Sequence, residues 1–287
     1  MDNLASKENI KKLMKKYNIR FSKSLGQNFL TDEFLIYEII NRANLKKEDN
    51  IIEIGPGIGV LTKELAQNCK KIVAVEIDDK LIPLLNDTLS DFENVKIVND
   101  DILKVDLKKL INNEFNEKPK VVANLPYYIT TPIIMRFLEE DINVSEIVVM
   151  VQKEVAERMT AKPGNKTYGS LSVAVQYYTD PTIILDVPRD NFIPKPNVDS
   201  AVIRLNVKDK PKVDLLDDKF FFKIVKGAFA LRRKTLPNSL SKSKINLNKD
   251  LIKEVLKDLG IDLRIRGEKL DINQLAKLSN ELYKRLN

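Results

Sequence analysis

The tetrapeptide Asn124-Leu125-Pro126-Tyr127 holds the groups needed to activate an amino group attached to an aromatic ring. Such a nitrogen is a poor nucleophile, because its lone pair is delocalised into the ring. The side-chain oxygen of Asn124 can accept a hydrogen bond from it, and the Leu125 carbonyl offers a second acceptor in a turn fixed by Pro126. Two acceptors favour a pyramidal, attacking nitrogen. Tyr127 adds a face on which a base can stack, worth ~1–3 kcal/mol. The competing reading is a strand-to-loop turn with a packed tyrosine.

Upstream, Glu53-Ile54-Gly55-Pro56-Gly57-Ile58-Gly59 places glycines at alternate positions where a strand gives way to a helix. Without Cβ atoms the backbone turns tightly, and a ligand can approach its amides. A dinucleotide-type GxGxxG would need glycine where Val60 stands, so the diphosphate fingerprint is imperfect. Glu53 before the turn and Pro56 within it lean toward an S-adenosylmethionine site, which has no diphosphate to cradle; a plain strand-to-helix turn is the alternative. Glu76 closes the next strand, twenty-one residues after Gly55, where its carboxylate can accept both hydroxyls of a ribose. Asp101, with Asp100 as second choice, follows the third strand and is suited to bind an adenine amino group. Each acid could cap a helix instead, but three at successive strand ends favour a ligand.

Groups at strand ends need a sheet to hold them. Short apolar runs at Asn50–Ile54, Lys71–Glu76, Val95–Asn99, Lys120–Asn124 and Ser145–Gln152 alternate with amphipathic helical stretches. That pattern predicts an α/β, Rossmann-like sheet, mostly parallel, with ligands at its carboxyl edge. Two further runs, Thr182–Val187 and Val198–Val207, are joined through the Pro-rich Phe192–Pro196, a connection suited to an antiparallel final hairpin. Beyond Val207 the texture changes. Lys208–Pro211 reads as a linker, followed by helices only, at Asp218–Leu236, Lys249–Leu259 and Ile272–Leu286. The last carries a capping box, Asp271 with Gln274 three residues on, and Gly260 suits a C-cap. The expected division is therefore 1–207 and 208–287, the second a small all-α domain. The first 20 residues are polar enough to fray in part.

Composition narrows the chemistry. The 287 residues include no His, no Trp and one Cys, Cys69, which removes Ser-His-Asp and Cys-His nucleophile systems, every His-containing metal site and any intrachain disulfide framework. No metal is expected. Net charge is +7 and unevenly spread: residues 1–30 hold 7 basic and 2 acidic residues, 31–207 hold 21 and 28, and 208–287 hold 20 and 11. Two basic ends thus flank an acidic body, which suits either a solvated Lys-rich surface or a polyanion gripped at both ends. Arg232, Arg233 and Lys234 fall late in the predicted 218–236 helix, where cations favour a helix C-terminus or could meet a phosphate. No apolar run reaches the ~20 residues of a membrane span. The absence of an apolar leader and the lone Cys suit a cytoplasmic protein.

Taken together, these pieces resemble the ribosomal RNA adenine-N6 dimethyltransferases, most closely the bacterial KsgA type that acts on small-subunit rRNA. The likeness runs through Ser24–Leu30, Glu53–Thr62, Glu76-Ile77-Asp78, Asp101, Asn124–Tyr127, Val151–Ala156, Tyr168–Ser172, Phe192–Ser200 and Arg232-Arg233-Lys234-Thr235-Leu236, nearly the whole chain. The resemblance implies an S-adenosylmethionine-dependent methyltransferase domain followed by a helical rRNA-docking domain. It places cofactor-binding roles on Gln27, Asn28 and Leu30, which close over the cofactor, and on Gly55, Gly57, Glu76, Asp101 and Asn124. It implicates Asn124, Leu125, Pro126 and Tyr127 in catalysis. Phe192 would face the target adenine opposite Tyr127, although composition alone makes it a core aromatic. Arg232, Arg233 and Lys234 would contact RNA.

The implied reaction is dimethylation of N6 on two adjacent adenosines in the 3′-terminal hairpin loop of 16S rRNA, in the small subunit or its precursor, by a monomer without membrane association. Ser24-Leu25-Gly26 departs from the family's more usual aromatic before the glycine, and Asn99-Asp100-Asp101 offers two acids where one is typical. The rivals are a large-subunit rRNA methylase giving macrolide resistance, a ribosome-assembly checkpoint factor acting mainly by binding, and a protein-amide methylase. The last is disfavoured by Leu125, where that group typically has Pro.

Overall fold

Runs of apolar residues buried on both faces are what the interior of a parallel sheet requires, and four of them, with a more exposed fifth at the edge, form its parallel part in the computed structural model, which describes residues 4–22 and 24–287. The strands are β1 (Phe29–Leu30), β2 (Asn50–Ile54), β3 (Lys71–Glu76), β4 (Val95–Asn99), β5 (Lys120–Asn124), β6 (Glu146–Gln152), β7 (Thr179–Val187), β8 (Phe192–Ile193) and β9 (Ser200–Val207). Seven of these share one sheet in the order β4-β3-β2-β5-β6-β9-β7. Strands β2 to β6 are parallel, with Ile51 opposite both Ile72 and Lys120 and with Val121 opposite Ile147. β9 returns antiparallel to β6, placing Ile203 opposite Val149. This is the mostly parallel sheet with an antiparallel end that the sequence pattern predicts. The order reverses between β2 and β5, so their carboxyl ends open a crevice at the switch point.

The helices are α1 (Lys7–Lys16), α2 (Glu33–Arg42), α3 (Val60–Asn68), α4 (Ile82–Thr88), α5 (Leu107–Glu114), α6 (Thr130–Glu139), α7 (Lys153–Thr160), α8 (Ser170–Tyr178), α9 (Asp218–Ala230), α10 (Leu236–Ser241), α11 (Lys249–Asp258) and α12 (Ile272–Leu286). None of those described is long and apolar enough to cross a membrane. Fraying at the N-terminus is not what the fold shows for α1. Its Ser6 cap accepts from the Asn9 amide, Ile10 and Met14 are buried, and Lys16 and Tyr17 both bond Asp87.

The chain forms two compact units. One comprises the described residues up to Ala156 together with Pro181–Val207; the other comprises Glu157–Asp180 with Lys208–Asn287. The expected boundary at 207/208 therefore needs correction for 157–180. Ala161, Tyr168, Val173 and Tyr177 belong to the same buried cluster as Phe221, Val225 and Leu275. Tyr177 packs its ring 5.6 Å from Phe221 and 5.3 Å from Phe222. The first unit's core is built on the sheet and its helices, with Ile51, Ile72, Leu65, Leu81, Val122 and Val148 among its members. Each fully buried aliphatic side chain contributes about 1.5–3 kcal/mol.

Two local features depart from expectation. A small second sheet pairs β1 antiparallel to β8, Phe29 with Ile193 and Leu30 with Phe192. The helix expected over 218–236 ends at Ala230. There the buried Ser239 hydroxyl inserts into the ladder, accepting from the Leu231 amide at 3.1 Å and donating to the Gly227 carbonyl at 2.7 Å. That insertion takes the place of the bond Leu231 would make to Gly227 in a continuing helix. Thr235 is extended, and Pro237 sits in the first turn of α10, where its missing N–H costs nothing.

Candidate active site

The Gly-rich turn links β2 to α3 with Gly55, Gly57 and Gly59 all at positive φ (65°, 64° and 86°). At Gly57 more than the turn demands glycine. A Cβ at Gly57 would stand 2.7 Å from the Phe29 ring, so the turn and β1 approach as closely as glycine permits. A Cβ at Gly55 would meet nothing within 4 Å and would project into open space. That space is part of a cleft of about 760 Å³, counting its open mouth, lined by Leu25–Leu30, Glu53, the Gly-rich turn, Glu76, Ile77 and Asn124–Tyr127.

Glu76, at the end of β3, is 4% exposed and accepts from the Gly57 amide at 3.1 Å and the Asp78 amide at 2.9 Å. Burial still raises its carboxyl above the ordinary range, against the lowering effect of those amides. Glu53 is 1% exposed, and its Oε2 has no hydrogen-bond partner; the buried Thr62 hydroxyl of α3 has none either. Burial pushes the Glu53 carboxyl up to about 8, and the charge of Glu76 adds to the rise. Two buried carboxyl groups therefore lie at one cleft.

Asn124 ends β5, and its Nδ2 donates to the Asn28 carbonyl at 2.8 Å. With the amide nitrogen committed, Oδ1 is the end left to accept a proton from a ligand. The Leu125 amide donates to Met150 O at 3.3 Å, whereas the Leu125 carbonyl accepts from no described residue. Pro126 O is already taken by the Thr130 hydroxyl at 3.1 Å and the Ile129 amide at 3.2 Å. The tetrapeptide thus presents two acceptors, both of the kind the sequence suggests. Tyr127 is partly buried and bonded through its hydroxyl to Ser200 Oγ at 2.6 Å, which fixes its ring.

The segment before β1 is tied across the cleft. Gln27 Nε2 donates to Asp78 Oδ2 at 2.8 Å while its Oε1 accepts from the Ser22 amide, and Asn28 Nδ2 donates to Gly26 O at 2.9 Å. Gln27, Asn28, Leu30, Gly55, Gly57, Glu76, Asn124, Leu125, Pro126 and Tyr127 are therefore gathered at one cleft. Glu53, which the sequence pattern also marks, and Ile77 line the same cleft, and Asp78 joins it only through its bond to Gln27. The signal for Ile77 and Asp78 was adjacency to Glu76.

Other expected site residues lie elsewhere. Asp101 is outside the cleft lining; its carboxylate accepts from the Leu103 amide at 2.9 Å and pairs with Lys104 at 3.4 Å, while Asp100 accepts from the Asp101 amide. Both acids cap the turn after β4. Phe192, expected to face an adenine, is 2% exposed and sits in the core, opposite Leu30 in the β1–β8 pair. Its backbone is paired beside Leu30, which does line the cleft. Arg232, Arg233 and Lys234 belong to the second unit and occupy the turn between α9 and α10, not a helix end. Arg232 is held by the Lys166 carbonyl and by Glu268 at 3.7 Å; Arg233 and Lys234 are exposed.

An S-adenosylmethionine molecule carries a sulfonium and an ammonium as well as a ribose and an adenine. The residues of the cleft fit it: an open position over Gly55, two buried carboxyl groups for its cationic end and hydroxyls, and the apolar Ile77 and Leu81 at the side.

Known proteins resemble the chain over most of its length. The family described as "Ribosomal RNA adenine dimethylase" matches residues 18–284. A Clostridioides difficile (strain 630) protein named "Ribosomal RNA small subunit methyltransferase A" is 57% identical over 281 residues, covering 98% of this chain and 97% of that one. A Bacillus cereus (strain B4264) protein of the same name is 50% identical over 289 residues, with 98% of each chain covered. Among solved structures, a dimethyladenosine transferase from Plasmodium falciparum superposes with a TM-score of 0.76 at 26% identity, over 90% of this chain and 98% of that one. The 23S rRNA methyltransferase ErmE gives 0.68 at 25% identity, over 89% and 99%.

Proposed function

Because the chain belongs to the ribosomal RNA adenine dimethylase family, we propose that it places two methyl groups on N6 of each of two adjacent adenosines in the 3′-terminal hairpin loop of 16S rRNA, in the small ribosomal subunit or its precursor. S-adenosylmethionine supplies the methyl group from a sulfonium, whose departing sulfide is a good leaving group. The protein's work is then chiefly to position the reactants, and a chain without histidine lacks nothing the reaction needs.

The observation that carries this reading is the commitment of Asn124 Nδ2 to the Asn28 carbonyl, which leaves Oδ1 to accept from an adenine amino group. The Leu125 carbonyl takes the second N–H, and Tyr127, anchored on Ser200, stacks on the base. An adenine must leave its helical stack to reach this position. Glu76 holds the cofactor's ribose, Gln27, Asn28 and Leu30 close over it, and Glu53 faces its positive charge. Phe192 supports Leu30 as its cross-strand neighbour.

The second unit docks rRNA, with Arg233 and Lys234 as its phosphate contacts and Arg232 holding the turn. Contacts of this kind select by shape more than by sequence. We assign the enzyme to the cytoplasm as a monomer. The relatives at 57% and 50% identity bear small-subunit names, which disfavours a large-subunit methylase. Incubating the protein with unmethylated 30S particles and with naked 23S rRNA, side by side with labelled S-adenosylmethionine, tests the reading. Label is expected in 16S rRNA only and absent with Asn124→Ala; label confined to 23S rRNA overturns it.

A further inference from the structure

Tyr128 follows the Asn124–Tyr127 loop directly, yet the transfer chemistry above makes no use of it. Its ring is 58% exposed, whereas the neighbouring Tyr127 is anchored by its hydroxyl on Ser200. One flank of the Tyr128 ring rests on the backbone at Gly26: a Cβ built there would stand 3.2 Å from both Cδ1 and Cε1, and 3.4 Å from Pro126 Cβ. Gly26 and Pro126 both line the cleft. Gly26 holds a φ of +62°, so the loop reaches this close approach through a conformation glycine adopts without strain. The result is an aromatic ring steadied along one edge at the cleft rim, with more than half of the residue's surface exposed. An exposed ring fixed in this way gains burial only when a partner covers it.

Flipping a nucleotide into the cleft strips its neighbour of a stacking partner. An aromatic side chain replaces that partner without regard to base identity. We propose that Tyr128 is the stacking platform for the base flanking the adenosine in the cleft, holding it in register while N6 of its neighbour is methylated. This role rests on the proposed function. It makes Tyr128 a positioning residue for the RNA, with no part in holding the cofactor.

The test uses the full-length protein, its Tyr128→Ala and Tyr128→Phe variants, and unmethylated 30S particles. Three quantities are read: affinity for S-adenosylmethionine by calorimetry, kcat/KM for methylation, and the methylation state of each adenosine by mass spectrometry. Tyr128→Ala is expected to lose about tenfold or more in kcat/KM, the equivalent of about 1.4 kcal/mol, and to accumulate products with only one adenosine modified. Its cofactor affinity should stay within about twofold of wild type. Tyr128→Phe, which keeps the ring, should behave as wild type. The role is overturned if Tyr128→Ala methylates normally, if it loses cofactor affinity in proportion, or if Phe is as damaging as Ala. Failure of the wild-type protein to methylate 30S particles at all overturns the proposed function and this role with it; normal wild-type activity with an indifferent Tyr128→Ala overturns the role alone.

Discussion

Glu53→Gln should stabilise the ligand-free protein, and by an amount that grows with pH. The Glu53 carboxyl is buried, has an oxygen without a partner, and is held at about 8 against an ordinary value of 4.5. In the unfolded chain it ionises near 4.5; in the fold it keeps its proton until about 8, so the folded state binds more protons across that window. Stability therefore falls as pH rises from 4.5 to 8 and levels off above. At ~1.4 kcal/mol per pH unit, this one group costs about 3 kcal/mol at pH 7 and about 5 kcal/mol above pH 8. Glutamine has a similar shape and no proton to lose, so the variant lacks this slope, while titrating groups not coupled to Glu53 are common to both proteins and cancel. Urea unfolding of the two proteins at pH 5, 6, 7, 8 and 9 measures the difference directly. The gap should open by several kcal/mol between pH 5 and 9, with Gln the more stable at the alkaline end. Parallel curves would show that Glu53 ionises normally in the fold and would refute the reasoning. A cationic ligand should also tighten its binding to wild type, but not to the variant, as pH rises toward 8.

Three other perturbations probe separate parts of the molecule. Glu76→Ala removes a buried acceptor and should weaken S-adenosylmethionine binding by about 1–2 kcal/mol, the scale of a charge-assisted hydrogen bond; calorimetry showing unchanged affinity removes Glu76 from the binding set. Gly57→Ala puts a methyl 2.7 Å from the Phe29 ring at a φ of +64°, and thermal unfolding should reveal a destabilisation of about 1–3 kcal/mol; a neutral result would mean that β1 yields freely. Reversing the charges of Arg232, Arg233 and Lys234 should flatten the salt dependence of 30S binding, by roughly 0.7–0.9 in log–log slope for each phosphate no longer neutralised; an unchanged slope would confine the cluster to shaping the α9–α10 turn.

Much of the fold was legible in the sequence because it is written in periodicity. The central strands appear as apolar runs of five to seven residues at the predicted positions, and the Gly-rich turn, Glu76 and Asn124 mark their carboxyl ends. The features that the sequence hid depend on contacts between residues far apart. Two-residue strands such as β1 and β8 have no period to detect, so the pairing of Phe192 with Leu30 could not be read from its neighbours. The break after Ala230 comes from Ser239, eight residues beyond Leu231, in a stretch whose helical periodicity continues past it. Residues 157–180 look like more of the α/β pattern, and only their aromatic contacts with α9 assign them to the second unit. Asp101 has the position expected of a ligand-binding acid, and its bonds to the Leu103 amide and to Lys104 are local contacts that no periodicity announces. The raised Glu53 carboxyl was hidden because burial on this scale is a property of the assembled sheet.

Dimethylation of small-subunit rRNA is tested most directly by mass spectrometry of the 3′-terminal 16S rRNA fragment after unmethylated 30S particles react with the purified protein and S-adenosylmethionine. The expected product is N6,N6-dimethyladenosine at two adjacent positions in the hairpin loop, with no such product from Asn124→Ala. A fragment that stays unmodified, or that carries methyl groups away from adenine N6, would contradict it.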